Sequence, residues 1–145
     1  EMLSALEDSL DEKDADFIFM AAAVADYMPA NFSNQKLKRT QVKSNLSLKP
    51  TPDILKTINQ QTESKIIAFA LETQNGINEA KRKLLDKNSD FIVLNYANEE
   101  GAGFESSTNK VHIFSKSGNE IKLKKNRKDR IAMQIFDFVL NDKNI

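Results

Sequence analysis

Residues 16–39 read DFIFMAAAVADYMPANFSNQKLKR, which is an apolar run, a set of alanines, an acid and then a basic cluster. The apolar run at 17–20 has the length of a buried strand, and the alanines after it let a ligand approach the backbone. Asp26 follows at the strand exit, and the basic cluster occupies 36–39. Because ligands of open α/β sheets bind beyond the carboxyl ends of the strands, this order predicts a site for a polar, nucleotide-sized ligand.

The composition excludes several classes of protein. The 145 residues are enough for one domain with one core, and the 21 basic and 21 acidic residues leave no net charge to attract nucleic acid or a membrane. The chain has no cysteine and one histidine, which excludes disulfides, thiolate catalysis and a His-rich metal site. No apolar run is long enough to span a bilayer. We expect a cytosolic protein with no nucleic-acid or membrane partner.

Strands that alternate with helices predict an α/β fold with a mostly parallel sheet and helices on both faces. The expected elements are a helix at 2–13, strands at 15–22, 45–49, 64–71 and 90–94, helices from 51 or 52 and over 75–88, a hairpin of 110–114 with 120–124, and a last helix from 126 or 129. Side chains expected to face the core include Ile77, Ala80, Leu84 and Leu85, and in the last helix Ile131, Ile135, Phe136, Val139 and Leu140. Only three long buried strands are visible, so the chain is expected to be the later part of such a domain.

Three groups of polar residues are candidates for ligand binding, each with a simpler explanation. Asp26 can accept hydrogen bonds from a ribose or a base, or it can be a turn residue. The basic cluster at 36–39 can close over phosphates and neutralise developing charge, or it can be a solvated loop. Lys83 and Lys87 share one helix face. Lys87, close to the inward stripe, either points into a crevice or snorkels from the core edge, and the lysines can also be ordinary cations in a last helical turn.

Other features have weaker functional readings. The turn PTPD at 50–53 offers free helix N–H groups to an anion, although plain capping explains it as well. Phe69 is typical of a core residue, and Thr73 is expected to cap the following helix. The chain contains no Walker-type glycine loop, no GxGxxG, no HExxH and no Ser–His–Asp arrangement.

Taken together, several motifs make the chain resemble phosphopantothenate–cysteine ligase, the synthetase half of a bacterial bifunctional coenzyme A biosynthesis flavoprotein. They are MAAAVADY at 20–27, K-x-K-R at 36–39, PDIL at 52–55, AFALET at 68–73 and AKRKLLDKNSDFIVLN at 80–95. The resemblance runs in order over nearly the whole chain. It implies one domain over 1–145, a Rossmann-like three-layer sandwich with a C-terminal hairpin and helix, whose first strands precede Glu1.

The resemblance also implies a reaction and a set of site residues. The family activates 4′-phosphopantothenate with CTP as an acyl-cytidylate, and the amine of cysteine then displaces CMP. The implied nucleotide contacts are the backbone of Met20, Ala21 and Ala22, then Asp26, Lys36, Pro52, Asp53, Ile54, Leu55, Phe69, Lys83 and Lys87. Lys36 is also the implied catalytic residue, closing over the reacting centre.

Cofactors and partners follow from the same resemblance. Mg²⁺ is expected with the triphosphate, FMN is not expected, and the substrates are CTP, 4′-phosphopantothenate and cysteine, bound by a homodimer. One alternative is a nucleotide-binding module of the same fold without ligase activity. A dinucleotide-dependent oxidoreductase is another, and the absence of a glycine fingerprint counts against it.

Overall fold

The structure is a computed structural model that describes residues 1–12, 15–31, 34–35, 45–73, 75–96 and 106–142. These residues form two compact units, one of Glu1–Ala21 with Ile54–Ile145 and one of Ala22–Asp53. The elements in chain order are α1 (Met2–Glu12), β1 (Phe17–Met20), β2 (Tyr27–Pro29), β3 (Leu48–Pro50), α2 (Ile54–Ile58), β4 (Lys65–Glu72), α3 (Gly76–Asp86), β5 (Phe91–Tyr96), β6 (Thr108–Asn109), β7 (Val111–Ser115), β8 (Glu120–Lys122), β9 (Asn126–Arg127) and α4 (Lys128–Asn141).

The larger unit is built on a five-stranded sheet of order β1-β4-β5-β7-β8. The pairs β1–β4 and β4–β5 are parallel, whereas β5–β7 and β7–β8 are antiparallel. This arrangement confirms the predicted α/β class with a parallel core and a C-terminal hairpin. The hairpin turn places Gly118 at φ +95°, a conformation that favours glycine.

The central strands are continuous apolar runs because both faces of the sheet are covered. Phe91, Ile92, Val93 and Leu94 of β5 are all at most 1% exposed. Just before them, the Asp90 carboxylate accepts a 2.7 Å hydrogen bond from the Ile66 N–H and ties the start of β5 to β4.

Helices pack on both faces of the sheet, as predicted. On one face, α4 contributes Ile131, Ile135 and Val139 to a core cluster with residues of β4, β5 and β7. The opposite face carries two clusters, one formed with α3 and one with α1 and α2. Ala80 and Leu84 are the buried residues of α3.

Four side chains that the sequence pattern placed in the core are exposed instead. The exposed fractions are 41% for Ile77, 72% for Leu85, 46% for Phe136 and 51% for Leu140. Each helix meets the sheet along a stripe narrower than its apolar face, because it covers only the strands directly beneath it. The sequence prediction was therefore wrong about the width of both helix contacts.

Several element boundaries also differ from the prediction. The strand expected at 45–49 is β3 at Leu48–Pro50, and the helix expected from 51 or 52 begins at Ile54. The hairpin strand expected over 120–124 ends at Lys122. The last helix begins at Lys128, between the two expected starts.

The smaller unit contains a two-stranded antiparallel ribbon of β2 and β3. β2 was not predicted, because its three exposed residues show no alternation. Within the described residues of both units, each helix is too short or too polar to cross a bilayer.

Candidate functional site

Strand β4 extends past β1 at the carboxyl edge of the sheet. Met20, the last residue of β1, pairs with Ala68, whereas β4 continues to Glu72. The Ala21 N–H donates a 3.1 Å hydrogen bond to the Phe19 carbonyl, a tight turn that takes the chain out of the sheet. The last residues of β4 therefore lack a β1 neighbour, and the sheet edge is stepped where α/β proteins bind ligands.

Glu72 and Lys83 form an ion pair at this edge. Lys83 Nζ lies 2.5 Å from Glu72 Oε1, and the side chains are 37% and 16% exposed, respectively. Helical side chains lean toward the helix N-terminus, so Lys83 reaches back along α3 toward the strand end. The pair thus presents a cationic donor and an anionic acceptor next to each other, partly open to solvent.

Gly76 brings α3 close to the strand that carries Glu72. A Cβ at this position would lie 3.3 Å from Glu72 Cβ and 3.4 Å from both methyl groups of Leu94. The residue before it, Asn75, is the helix N-cap with φ 52°. The prediction that Thr73 caps this helix is therefore wrong, since the N-cap lies two positions later in the sequence.

Lys87 lies at the other end of α3. Its N–H donates to the Lys83 carbonyl (2.9 Å), and its own carbonyl accepts a 3.4 Å hydrogen bond from the Asn59 amide. The backbone of Lys87 is thus one helical turn farther than Lys83 from the strand end. The structure places the two lysines on one helix face and pairs Lys83 with Glu72.

Phe69 lies on the opposite face of the sheet from the ion pair. It packs against the cluster under α4 and lines an apolar groove of about 680 Å³. The rings of Phe19 and Phe136 form part of the same groove, with centroids 6.1 Å apart. Phe69 and the Glu72–Lys83 ion pair therefore lie on opposite faces of the sheet, although the resemblance assigns Phe69 and Lys83 to one nucleotide site.

Met20 and Ile54 contribute their side chains to the core. They are 8% and 9% exposed and pack in one cluster, with Leu55 partly buried against it. Only their backbone groups are available to a ligand, which is the role that the resemblance implies for Met20 and its neighbour Ala21.

Two parts of the predicted nucleotide site that are distant in sequence lie together in the smaller unit. They are Asp26 and the segment of Pro52 and Asp53. The Thr51 N–H donates a 2.9 Å hydrogen bond to the Asp26 carbonyl, and the Thr51 hydroxyl donates to the Ala25 carbonyl. Asp26 therefore lies beside the segment that continues into Pro52 and Asp53. The Asp26 side chain is exposed, as is Ala22, the first residue of this unit.

The basic cluster that begins at Lys36 lies outside the described residues. The structure thus gives no position for the predicted catalytic residue or for its neighbours Lys38 and Arg39.

Sequence reasoning missed Glu72 and a pair of asparagines at the same edge. Asn109 donates a 2.7 Å hydrogen bond to the side-chain oxygen of Asn95, near the end of β5. The sequence signal that could have found them is a polar residue at the end of each of two adjacent parallel strands, because the carboxyl ends of such strands lie at the same edge of the sheet. Nothing in the sequence indicated that Glu72 and Lys83 would be partners.

The only histidine is a second titratable feature, on β7. Burial is the main cause that lowers the pKa of His112, opposed by Glu120 and reinforced by Lys122 and Lys81. Its Nε2 lies 3.8 Å from Glu120, and its buried Nδ1 has no hydrogen-bond partner among the described residues. The Lys81 hydrogen bond in turn lowers the pKa of Glu120. Within the described ranges, no group of three or more His, Cys, Asp or Glu side chains could hold a metal ion.

Comparisons with known proteins place these features in a family. The model of the DNA/pantothenate metabolism flavoprotein C-terminal domain matches residues 1–142. The coenzyme A biosynthesis bifunctional protein CoaBC of Bacillus subtilis is 40% identical over 110 residues, which are 75% of this chain and 27% of that protein. A cysteine/cysteine sulfinic acid decarboxylase of an unknown prokaryotic organism is 37% identical over 130 residues, 88% of this chain and 36% of that protein.

A solved structure has the same fold. The crystal structure of the C-terminal domain of a coenzyme A biosynthesis bifunctional protein CoaBC superposes with a TM-score of 0.71 at 29% identity. The match covers 95% of this chain and 59% of the other. This chain spans about a third of the length of the curated relatives described above.

Proposed function

The chain belongs to the DNA/pantothenate metabolism flavoprotein C-terminal domain family, and from this premise we propose that it joins 4′-phosphopantothenate to cysteine at the expense of CTP. The observation that carries the proposal is the identity of 40% to a coenzyme A biosynthesis protein over three quarters of the chain. The stepped carboxyl edge, with a lysine and a carboxylate facing each other, supports a site for a polar ligand there.

The proposed reaction has two steps. A carboxylate oxygen of 4′-phosphopantothenate attacks the α-phosphorus of CTP, the bond to the β-phosphate oxygen breaks, and pyrophosphate leaves. The amine of cysteine then attacks the acyl carbon, the bond to the CMP oxygen breaks, and the amine loses a proton as the amide forms. Both steps place charge on phosphate oxygens, which positioned cations stabilise.

The nucleotide residues implied by the resemblance supply binding and orientation in this proposal. Asp26 accepts hydrogen bonds from the nucleoside, Lys83 and Lys87 donate to the nucleotide, and Lys36 closes over the reacting phosphate. The described residues present no ready-made metal cage. Mg²⁺ would therefore be held mainly by the triphosphate oxygens, as is usual for this ion, and would neutralise their charge.

The decisive experiment measures nucleotide binding and turnover with the same sample. Calorimetry compares Mg-CTP with Mg-ATP, and a pyrophosphate-release assay is run with and without 4′-phosphopantothenate and cysteine. We expect CTP to be preferred and pyrophosphate release to require 4′-phosphopantothenate. Lys83→Ala should weaken CTP binding by about 1–3 kcal/mol, the value of a charged hydrogen bond. Arg82→Ala is the matched control, because Arg82 pairs with Glu79 on the exposed face of the same helix.

A second candidate is a nucleotide-binding module without ligase activity. The Glu72–Lys83 pair at the carboxyl edge fits this candidate equally well, because a polar pair can bind a nucleotide without activating a carboxylate. CTP binding without pyrophosphate release under any substrate combination would establish this candidate and overturn the ligase proposal. Preference for ATP or a dinucleotide would overturn both.

The remaining proposals concern assembly and location. We propose a homodimer, as the family resemblance implies, and a cytosolic location, as the composition predicts. Light scattering coupled to size-exclusion chromatography tests the dimer, and a monomer at all concentrations would contradict it. Cell fractionation tests the location.

A further inference from the structure

The Glu72–Lys83 pair is poorly suited to binding phosphate. Its two charges lie 2.5 Å apart and sum to zero, so an anion that approaches the ammonium also approaches the carboxylate. The attraction to the ammonium and the repulsion from the carboxylate are then of similar size and opposite sign. The pair is better matched to a neutral group that presents a donor and an acceptor side by side.

A nucleobase edge has this chemistry. Cytosine presents an exocyclic amine next to acceptor atoms, whereas uracil presents a carbonyl where cytosine has the amine. Glutamate is suited to accept from the cytosine amine, and an ammonium donates to the neighbouring ring nitrogen or carbonyl oxygen.

We propose that Glu72 and Lys83 read the cytosine edge of the nucleotide and select CTP over UTP. This inference rests on the CTP dependence proposed above. The Glu72 carboxylate accepts from the amine, and the Lys83 ammonium uses one of its remaining donors for the adjacent acceptor. With UTP, the carboxylate faces a carbonyl oxygen, so two acceptors meet and the hydrogen bond is lost.

The surroundings of the pair support this role. Glu72 is the last residue of β4, beyond the point where β1 leaves the sheet at Ala21. Among the residues that the structure describes, Lys83 is the side chain that pairs with Glu72. Gly76 holds the helix against the strand, which keeps the spacing between donor and acceptor short. A site that is positioned in advance in this way discriminates strongly against a ligand that leaves it unpaired.

The size of the effect follows from one charged hydrogen bond. Its loss corresponds to about 10- to 100-fold in affinity, so wild-type protein should bind CTP at least about tenfold tighter than UTP. Glu72→Gln should reduce this ratio to about threefold or less, because a glutamine amide can turn its donor toward the uracil carbonyl.

The test is calorimetry with three probes: Mg-CTP, Mg-UTP and inorganic tripolyphosphate. Wild type, Glu72→Gln and Lys83→Ala are compared with the control Glu79→Gln, which breaks an exposed ion pair of the same helix. We expect Glu72→Gln to remove the CTP preference and Lys83→Ala to weaken CTP binding, with tripolyphosphate binding changed less than about twofold in both. Glu79→Gln should leave all three affinities unchanged.

Two results would overturn the inference. An unchanged CTP-to-UTP ratio in Glu72→Gln would show that another group reads the base. Equal weakening of tripolyphosphate and CTP in Lys83→Ala would assign the lysine to the phosphates. Wild-type protein that binds neither nucleotide would instead refute the proposed function itself, so the two failures are distinguishable. Thermal unfolding of each variant establishes that it is folded.

Discussion

Adjacent leucines in α3 give a sharp test of how this helix sits on the sheet. Leu84 is 5% exposed and belongs to the cluster under α3, whereas Leu85 is 72% exposed. Leu84→Ala is therefore expected to destabilise the protein by about 3 kcal/mol, because deletion of a buried leucine costs about 2–5 kcal/mol. Leu85→Ala is the matched control, with the same chemical change in the next residue.

The cost at Leu85 can be estimated from its exposure. Full burial of a leucine side chain is worth about 1.5–3 kcal/mol, and roughly a quarter of Leu85 is buried. The expected loss is therefore below about 0.8 kcal/mol, and the higher helix propensity of alanine offsets a few tenths. The two variants should differ by about 2–3 kcal/mol.

Urea unfolding followed by far-UV circular dichroism measures both values. The free energy of unfolding is compared at equal m-value, which shows that the denatured states expose similar surface. A change of 1 kcal/mol shifts the melting temperature by roughly 2–4 °C at this chain length. Leu84→Ala should then melt roughly 6–12 °C below wild type.

Equal destabilisation by the two substitutions would refute this reasoning. It would mean that α3 is rotated by about 50°, half the angle between successive helical residues, so that both leucines share the buried stripe that the sequence pattern predicted. Such a rotation would also carry Lys83 away from Glu72, so the same result would count against the ion pair.

Three further substitutions test separate features. Burial lowers the pKa of His112 below its ordinary value of 6.5, so the unfolded chain binds a proton more readily than the folded protein. Acidification below pH 6.5 should therefore destabilise the wild type. His112→Phe should flatten this pH dependence, measured by urea titrations between pH 5 and 8, the range in which histidine titrates. Asp90→Ala removes the acceptor of the buried Ile66 N–H and should cost about 1–3 kcal/mol, whereas Asp86→Ala, which breaks an exposed ion pair, should cost less than about 1 kcal/mol; equal costs would contradict the hydrogen bond. Gly118→Ala should cost about 1–3 kcal/mol from backbone strain alone, because φ is +95° and no atom lies within 4 Å of the added Cβ; an unchanged melting temperature would argue against this turn.

The candidate site was only partly predictable. The alanines after β1 and the acid at 26 marked the strand exit correctly in the sequence, because small and polar residues interrupt a buried run there. Glu72 gave no such signal, since a glutamate at a strand end is common and its partner is eleven positions away. The resemblance grouped Phe69 with Lys83. Side-chain alternation along β4, however, places Phe69 on the opposite face of the sheet from Glu72, the partner of Lys83.

The sequence by itself determined the class of fold, because continuous apolar runs such as Phe91–Leu94 are stable only between two covered faces. Local turn chemistry, as at Gly118, likewise determined the hairpin. Only the tertiary structure decided which part of each apolar stripe is buried, since that depends on how many strands lie beneath a helix. It also decided that Lys83 meets Glu72, because a contact between a helix and a strand end depends on their distance, which Gly76 sets and residue pattern alone does not encode.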